Sequence, residues 1–194
     1  MISALLLAAG GSRRFGAPKL LQELNGRPVV RWSAESLAGV AAETVVVVPP
    51  DNEALRRALD GLPVRIVVNP RAGDGMASSL ACGVAAVSPD SEAVLVALGD
   101  EPLLPRRCHE RVIARFHEGG ASVVGATFGG TRGHPVLFAR GLFGDLRELT
   151  GDHGARVVAD SEPARLALVE MDEPYPVDVD TPADLARLKR TAQV

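Results

Sequence analysis

The stretch with the clearest chemical content runs Leu7-Ala8-Ala9-Gly10-Gly11-Ser12-Arg13-Arg14-Phe15-Gly16-Ala17-Pro18-Lys19. Glycines at 10, 11 and 16 let backbone N–H groups come close to an anion, and Arg13, Arg14 and Lys19 supply the opposite charge. A triphosphate fits that description. The plain alternative is an exposed basic loop closed by glycines. The loop is not a Walker A motif, because Ala17-Pro18 follows Gly16 where Lys-Ser/Thr would be expected. It is not a dinucleotide fingerprint either, since no GxGxxG occurs.

Two acidic segments could complement it. Gly99-Asp100-Glu101-Pro102 ends a predicted strand, where a carboxylate on a Gly-led turn suits Mg²⁺ carrying substrate phosphates, although a simple turn accounts for it equally well. In Val177-Asp178-Val179-Asp180, alternation along a short strand would put both carboxylates on one face. Asp180 also precedes a helix, so a helix-start role competes with metal binding. A third loop, Asn69-Pro70 followed by Gly73, Gly75, Met76, Ser78 and Ser79, offers backbone groups and small hydroxyls to the edge of a nucleobase, against the plainer reading of an N-capped helix. His109, His117, His134 and His153 show no HExxH or paired-ligand spacing. Of these, His134 in Gly133-His134-Pro135-Val136 is placed in a sharp turn and is the candidate for facing a substrate.

The elements that must position these residues follow from hydrophobic patterning. Ser3 to Ala8, Thr44 to Val48, Val64 to Val68, Ala93 to Leu98 and Ser122 to Ala126 are continuous apolar runs, as expected of strands buried on both faces of a parallel sheet. Pro28 to Leu37, Asn52 to Leu59, Met76 to Val87 and Pro105 to Phe116 have helical spacing. The alternation predicts an α/β/α sandwich of Rossmann-like type, whose ligands gather at the carboxyl ends of the strands. Farther on, a Gly-rich turn at Gly129 to Gly133 leads into a strand at His134 to Phe138. A helix at Leu142 to Leu149 and a strand at Arg165 to Met171 come next. This break in alternation predicts antiparallel or edge additions to a mostly parallel sheet. The last helix has Thr181 as its cap, Pro182 at its first position and Asp184 as a capping-box acid.

Composition narrows the function classes. The 194 residues suit a single domain over 1–194, 46% hydrophobic and 23% charged. Lys plus Arg is 21 against 24 Asp plus Glu, a formal charge of −3, which is the wrong balance for a protein living on nucleic-acid backbone. No apolar run approaches a membrane span. The apolar start is followed, not preceded, by arginines, which is the wrong order for a signal peptide. Cys82 and Cys108 form no CxxC and read as two reduced thiols, so a cytoplasmic location is expected.

Taken together, these blocks resemble the MobA-like nucleotidyltransferases, and among them most closely the molybdenum-cofactor cytidylyltransferases. The opening loop is similar to LAAGxSxR(M/F)GxxK. Asn69-Pro70 with Gly75-Met76 and Ser79-Leu80, Gly99-Asp100-Glu101-Pro102, Gly133-His134-Pro135-Val136, Gly151-Asp152-His153-Gly154-Ala155-Arg156 and Asp178-Val179-Asp180-Thr181-Pro182 continue the likeness in order. The resemblance implies a fold of the nucleotide-diphospho-sugar transferase type and Mg²⁺-dependent transfer of CMP from CTP to a phosphorylated acceptor such as molybdopterin.

By the same matching, Arg14, Lys19 and Asp100 would be catalytic, with Arg13 at a variable position. Leu7, Ala8, Ala9, Gly10, Gly11, Ser12, Arg14, Lys19, Asn69, Gly75, Met76, Ser79 and Gly99 would hold the nucleotide. Asp100 and Asp180 would hold the metal, with Asp178 a weaker candidate, and His134 and Arg156 would hold the acceptor. Arg132 is as readily a solvated loop residue. Glu101 departs from the Gln or Met common at its position and is awkward beside a triphosphate unless it turns away or joins the metal. Alternatives within the class are GMP transfer to the same cofactor and transfer to a sugar or alditol phosphate. From other classes come a non-catalytic nucleotide-binding partner of a molybdoenzyme and an NAD(P) dehydrogenase, the latter lacking its glycine fingerprint.

Overall fold

In the computed structural model, which describes residues 1–11, 15–151, 154–161 and 163–191, the expected alternation is present. Strand β1 (Ile2–Leu7) is followed by a small hairpin of β2 (Glu23–Leu24) and β3 (Arg27–Pro28). Then come α1 (Val29–Leu37), β4 (Glu43–Val48), α2 (Glu53–Ala58), β5 (Arg65–Val68), α3 (Met76–Ala86), β6 (Ala93–Leu98) and α4 (Arg106–His117). The second half adds β7 (Val123–Phe128), β8 (Thr131–Ala139), α5 (Phe143–Glu148), α6 (Arg156–Ser161), β9 (Leu166–Met171) and α7 (Pro182–Thr191).

A seven-stranded sheet runs in the order β5-β4-β1-β6-β8-β7-β9. β1 pairs in parallel with both β4 and β6, β4 with β5, and β7 with β9, whereas β8 is antiparallel to both of its neighbours. The antiparallel addition is therefore inside the sheet and not at its edge. From β1 the chain moves outward through β4 and β5, then returns to place β6 on the other side of β1. That reversal opens a crevice at the carboxyl ends of β1 and β6, the place where open α/β sheets bind ligands.

Period-two alternation explains the three layers. Ala4, Leu6, Val46, Val48, Leu95 and Ala97 face one core, which is shared with Val30, Ala34 and Leu37 of α1, Val112 of α4, and Leu185 and Leu188 of α7. Leu5, Val45, Val47, Val94 and Val96 face the other, with Leu80 and Val84 of α3, Phe143 and Leu146 of α5, and Val158 of α6. Both faces of the central strands are covered, which is why their sequences show unbroken apolar runs and no alternation. Helix α3 packs so closely on β1 that a Cβ at Gly83 would overlap the Leu5 side chain.

Two local expectations need correction. The turn between β7 and β8 is confined to Gly129 and Gly130, at φ 57° and 77°, and Thr131 to Gly133 already belong to β8. His134 is on this strand, as the strand reading of His134 to Phe138 expects, and not in the sharp turn. It falls where the β7–β8 register shifts: Gly125 faces Val136 and Ala126 faces Gly133, leaving His134 and Pro135 without partners on β7. A proline has no N–H to give to the ladder, and such a bulge accommodates it. Val177 to Asp180 is not a strand: Asp180 N–H turns back onto the Asp178 carbonyl at 3.1 Å, and Val179 N–H joins the segment to the β6 end by donating to the Asp100 carbonyl at 2.9 Å. No helix among the described residues is long and apolar enough to cross a membrane.

Candidate active site

At the crevice, backbone bonds carry the parallel ladder past the strand ends. Ala8 N–H donates to Val47 O, and Gly99 N–H to Leu7 O, both at 2.9 Å. This approach is why position 99 is glycine: a Cβ there would lie 3.1 Å from Leu7 O and 3.3 Å from the Ala8 Cβ. The Gly99 carbonyl accepts from Ser33 Oγ of α1 at 2.9 Å. The start of the glycine loop and Asp100 are thereby fixed side by side.

Lys19 reaches them from a short 3-10 turn over Lys19–Leu21. It is only 9% exposed. Its ammonium donates to Asp100 Oδ2 at 2.6 Å and to Asp180 Oδ1 at 2.7 Å. Burial works against the ammonium, but Asp100 and then Asp180 more than offset it and hold its pKa above the ordinary value. Asp180 is set in place from both sides. Val179 is fully buried, and the helix behind begins with the expected capping box: Asp184 N–H donates to Thr181 Oγ1 at 3.3 Å, and Thr181 N–H to Asp184 Oδ2 at 2.8 Å.

These side chains face a cleft of about 790 Å³, the size of a small-molecule site. Leu7, Ala9, Gly10, Gly11, Lys19, Gly75, Met76, Ser79, Asp100 and Asp180, all singled out in the sequence, line it. Leu20, Ala72, Gly73, Asp74, Leu98, Gly151 and Asp178 line it as well. Of these, Gly73, Asp178 and Gly151 carried a signal in the sequence, in the glycine-punctuated loop, the Asp-x-Asp alternation and the Gly151 to Arg156 block of the resemblance. Ala8, Asn69 and Gly99 are not among the residues that line the cleft. Asn69 is 2% exposed and donates to Ser78 Oγ (2.9 Å) and Ser79 Oγ (3.0 Å), while its Oδ1 accepts from Arg71 N–H. It clamps the loop onto the first turn of α3. That helix has no side-chain cap, contrary to the plain expectation, because its cap position is Gly75 at φ 99° and ψ 179°, a conformation essentially limited to glycine. Ser12, Arg13, Arg14, Asp152 and His153 lie outside the described residues.

Glu101 turns away from the cleft. It is 3% exposed, with Oε1 3.5 Å from His134 Nδ1. Burial opposes charge on His134, but Glu101, then Asp100 and Asp178, raise its pKa. Glu101 Oε2 and Asp178 Oδ1 are sealed from solvent with no hydrogen-bond partner among the described residues. Burial, then the charges of Glu101 and Asp100, push Asp178 up to about 7. His134 faces Glu101 and is not among the residues that line the cleft. Arg156 is not in the cleft either: it is exposed and sits 3.8 Å from Asp160, which also binds Arg132 at 2.5 Å.

The donor set suits a divalent ion of the Mg²⁺ type. Asp100 and Asp180 converge on one point, and such an ion takes one or two carboxylates and completes its shell with water and substrate phosphates.

A match to the MobA-like NTP transferase domain covers residues 4–166. The chain belongs to that family. It is a nucleotidyltransferase. The nicotine blue oxidoreductase of Paenarthrobacter nicotinovorans is 34% identical to this MobA-like transferase over 96% of each chain. The 2-C-methyl-D-erythritol 4-phosphate cytidylyltransferase of Streptomyces avermitilis is 36% identical over 64% of this chain and 53% of its own length. Among solved structures, a manganese complex of Rv0371c from Mycobacterium tuberculosis superposes with a TM-score of 0.80 at 28% identity, covering 97% of both chains.

Proposed function

We propose that this chain transfers CMP from CTP to a phosphorylated small-molecule acceptor, with molybdopterin the leading candidate, and that Mg²⁺ assists. The observation that carries this reading is Lys19 joined to both Asp100 and Asp180 at the mouth of a glycine-lined cleft. Gly10 and Gly11 would give backbone N–H groups to the phosphates, and the loop from Ala72 to Ser79 would flank the base. A phosphate oxygen of the acceptor attacks the α-phosphorus in line, the bond to the β-phosphate bridge breaks, and pyrophosphate leaves. An ionised phosphate monoester is already nucleophilic, so positioning and charge neutralisation are what the protein must supply. Lys19 answers charge that grows on the α-phosphoryl oxygens and on the departing group. Asp100 and Asp180 would hold Mg²⁺, which, when bound, neutralises phosphate charge.

The preference for CTP is supported by Ala9 and Ala17-Pro18 in the opening loop and by the cytidylyltransferase name of one relative. A second reading, an oxidoreductase on this fold, is favoured by the name of the relative matching nearly end to end. One assay separates them. Pyrophosphate release is measured with CTP, GTP, ATP and UTP, with and without Mg²⁺, against molybdopterin and sugar phosphates. A parallel arm follows NADH and NADPH oxidation with nicotine blue as the dye. The transfer reading expects metal-dependent pyrophosphate release, fastest with CTP. Dye reduction without pyrophosphate release would overturn it.

A further inference from the structure

This inference rests on the transfer reading and concerns the order in which its site fills. We infer that Lys19 is a built-in counter-cation that keeps the Asp100–Asp180 pair closed to a bare divalent ion, so that the metal is admitted together with the nucleotide's phosphates. The ammonium lies 2.6 Å and 2.7 Å from one oxygen of each carboxylate and is almost fully buried between them. An ion bound by those same oxygens sits closer still, at about 2.0–2.1 Å for Mg²⁺, and so needs the gap that the ammonium fills. Both cations cannot share it, because a single positive charge beside a double one repels strongly in a partly buried site.

Charge balance points the same way. Exchanging the ammonium for a divalent ion takes Lys19 away from the two carboxylates that hold its charge, which is costly in a partly buried site. Phosphates resting on Gly10 and Gly11 supply a replacement anion in the same cleft. The four-carbon stem of Lys19 gives its ammonium the reach to exchange carboxylates for phosphates. The two ligands therefore enter cooperatively, and Lys19 moves between two sets of partners.

The test titrates Mn²⁺ without nucleotide and reads free ion by electron paramagnetic resonance, using wild type, Lys19→Met and Lys19→Met with Asp100→Asn. Lys19→Met is expected to bind Mn²⁺ at least ~10-fold more tightly than wild type, because the competing charge is gone. The gain should vanish when Asp100 is also changed. Adding CTP should tighten Mn²⁺ binding in wild type and narrow the gap to the variant. Thermal melts establish that each protein is folded, and Lys19→Gln repeats the comparison if the methionine variant is not. Equal Mn²⁺ affinity in wild type and variant, or a gain that survives Asp100→Asn, overturns the inference. The titration needs no turnover, so wild type that releases pyrophosphate from CTP while Lys19→Met gains no affinity for Mn²⁺ refutes the gate and leaves the transfer reading standing.

Discussion

Lys19 Nζ lies 2.6 Å from Oδ2 of Asp100, although 81 residues separate them in the chain. The contact joins the cationic loop after β1 to the acidic turn after β6, and Asp180 completes it from a third segment. On the transfer reading, Lys19→Ala or Asp100→Ala lowers turnover at least ~10²-fold, the scale for losing one preorganised electrostatic group. Steady-state pyrophosphate release on proteins with unchanged circular dichroism measures it. Near-normal turnover in either variant removes that residue from the catalytic set.

Gly99 is held within a Cβ's reach of the Leu7 carbonyl, which is backbone and cannot swing aside. Gly99→Ala should cost about 1–3 kcal/mol, as overpacking does, and should weaken nucleotide binding by separating the ends of β1 and β6. Chemical denaturation and a CTP thermal shift read the two effects. Gly141→Ala, where a Cβ meets nothing within 4 Å, is the control and should change neither.

The capping box behind Asp180 gives a smaller effect. Asp184→Ala removes the acceptor for Thr181 N–H and for its hydroxyl, at a cost of about 1 kcal/mol. A drop in melting temperature of a few degrees is the expected result, with KM for the nucleotide rising as Asp180 loosens. An unaltered melting curve would show the box to be energetically silent.

His109 of α4 supplies a pH signature remote from the cleft. It is 1% exposed, its Nε2 meets Ser36 Oγ at 3.1 Å, and burial pushes its pKa down to about 4. Below the ordinary histidine value near 6.5, the unfolded chain takes up a proton that the folded state refuses. Stability from this residue is thus complete above pH 6.5 and is lost as pH falls toward 4, by about 3 kcal/mol at 1.36 kcal/mol per pH unit. Urea melts across that range should show the slope, and His109→Gln should flatten it. A slope that persists in the variant assigns it to other groups.

How much of this was legible beforehand depends on the range over which each signal acts. The doubly buried strands announced themselves because every residue of Val45 to Val48 faces one of two cores. The glycine loop, Lys19 and the Asp-x-Asp alternation around buried Val179 were visible for the same reason: their chemistry depends on neighbours a few residues away. The strand beginning at His134 was visible too, but its place in a bulge of the β7–β8 ladder and its approach to Glu101 were not. Arg132 and Arg156 gave no sign that both meet Asp160, nor Asn69 that its amide is spent on Ser78 and Ser79.

From the sequence alone came the α/β/α layering, the family and the identities of the charged residues that meet at the cleft. The layering rests on side-chain periodicity, and the family and its charged residues on a resemblance carried by short motifs, both of which a linear string records. Only the tertiary structure decided that Lys19 pairs with Asp100 and Asp180 together, that Glu101 faces inward, and that Gly99 serves a backbone approach. These depend on the distance between segments far apart in the chain, and that distance is set by the strand order and by the packing of both cores.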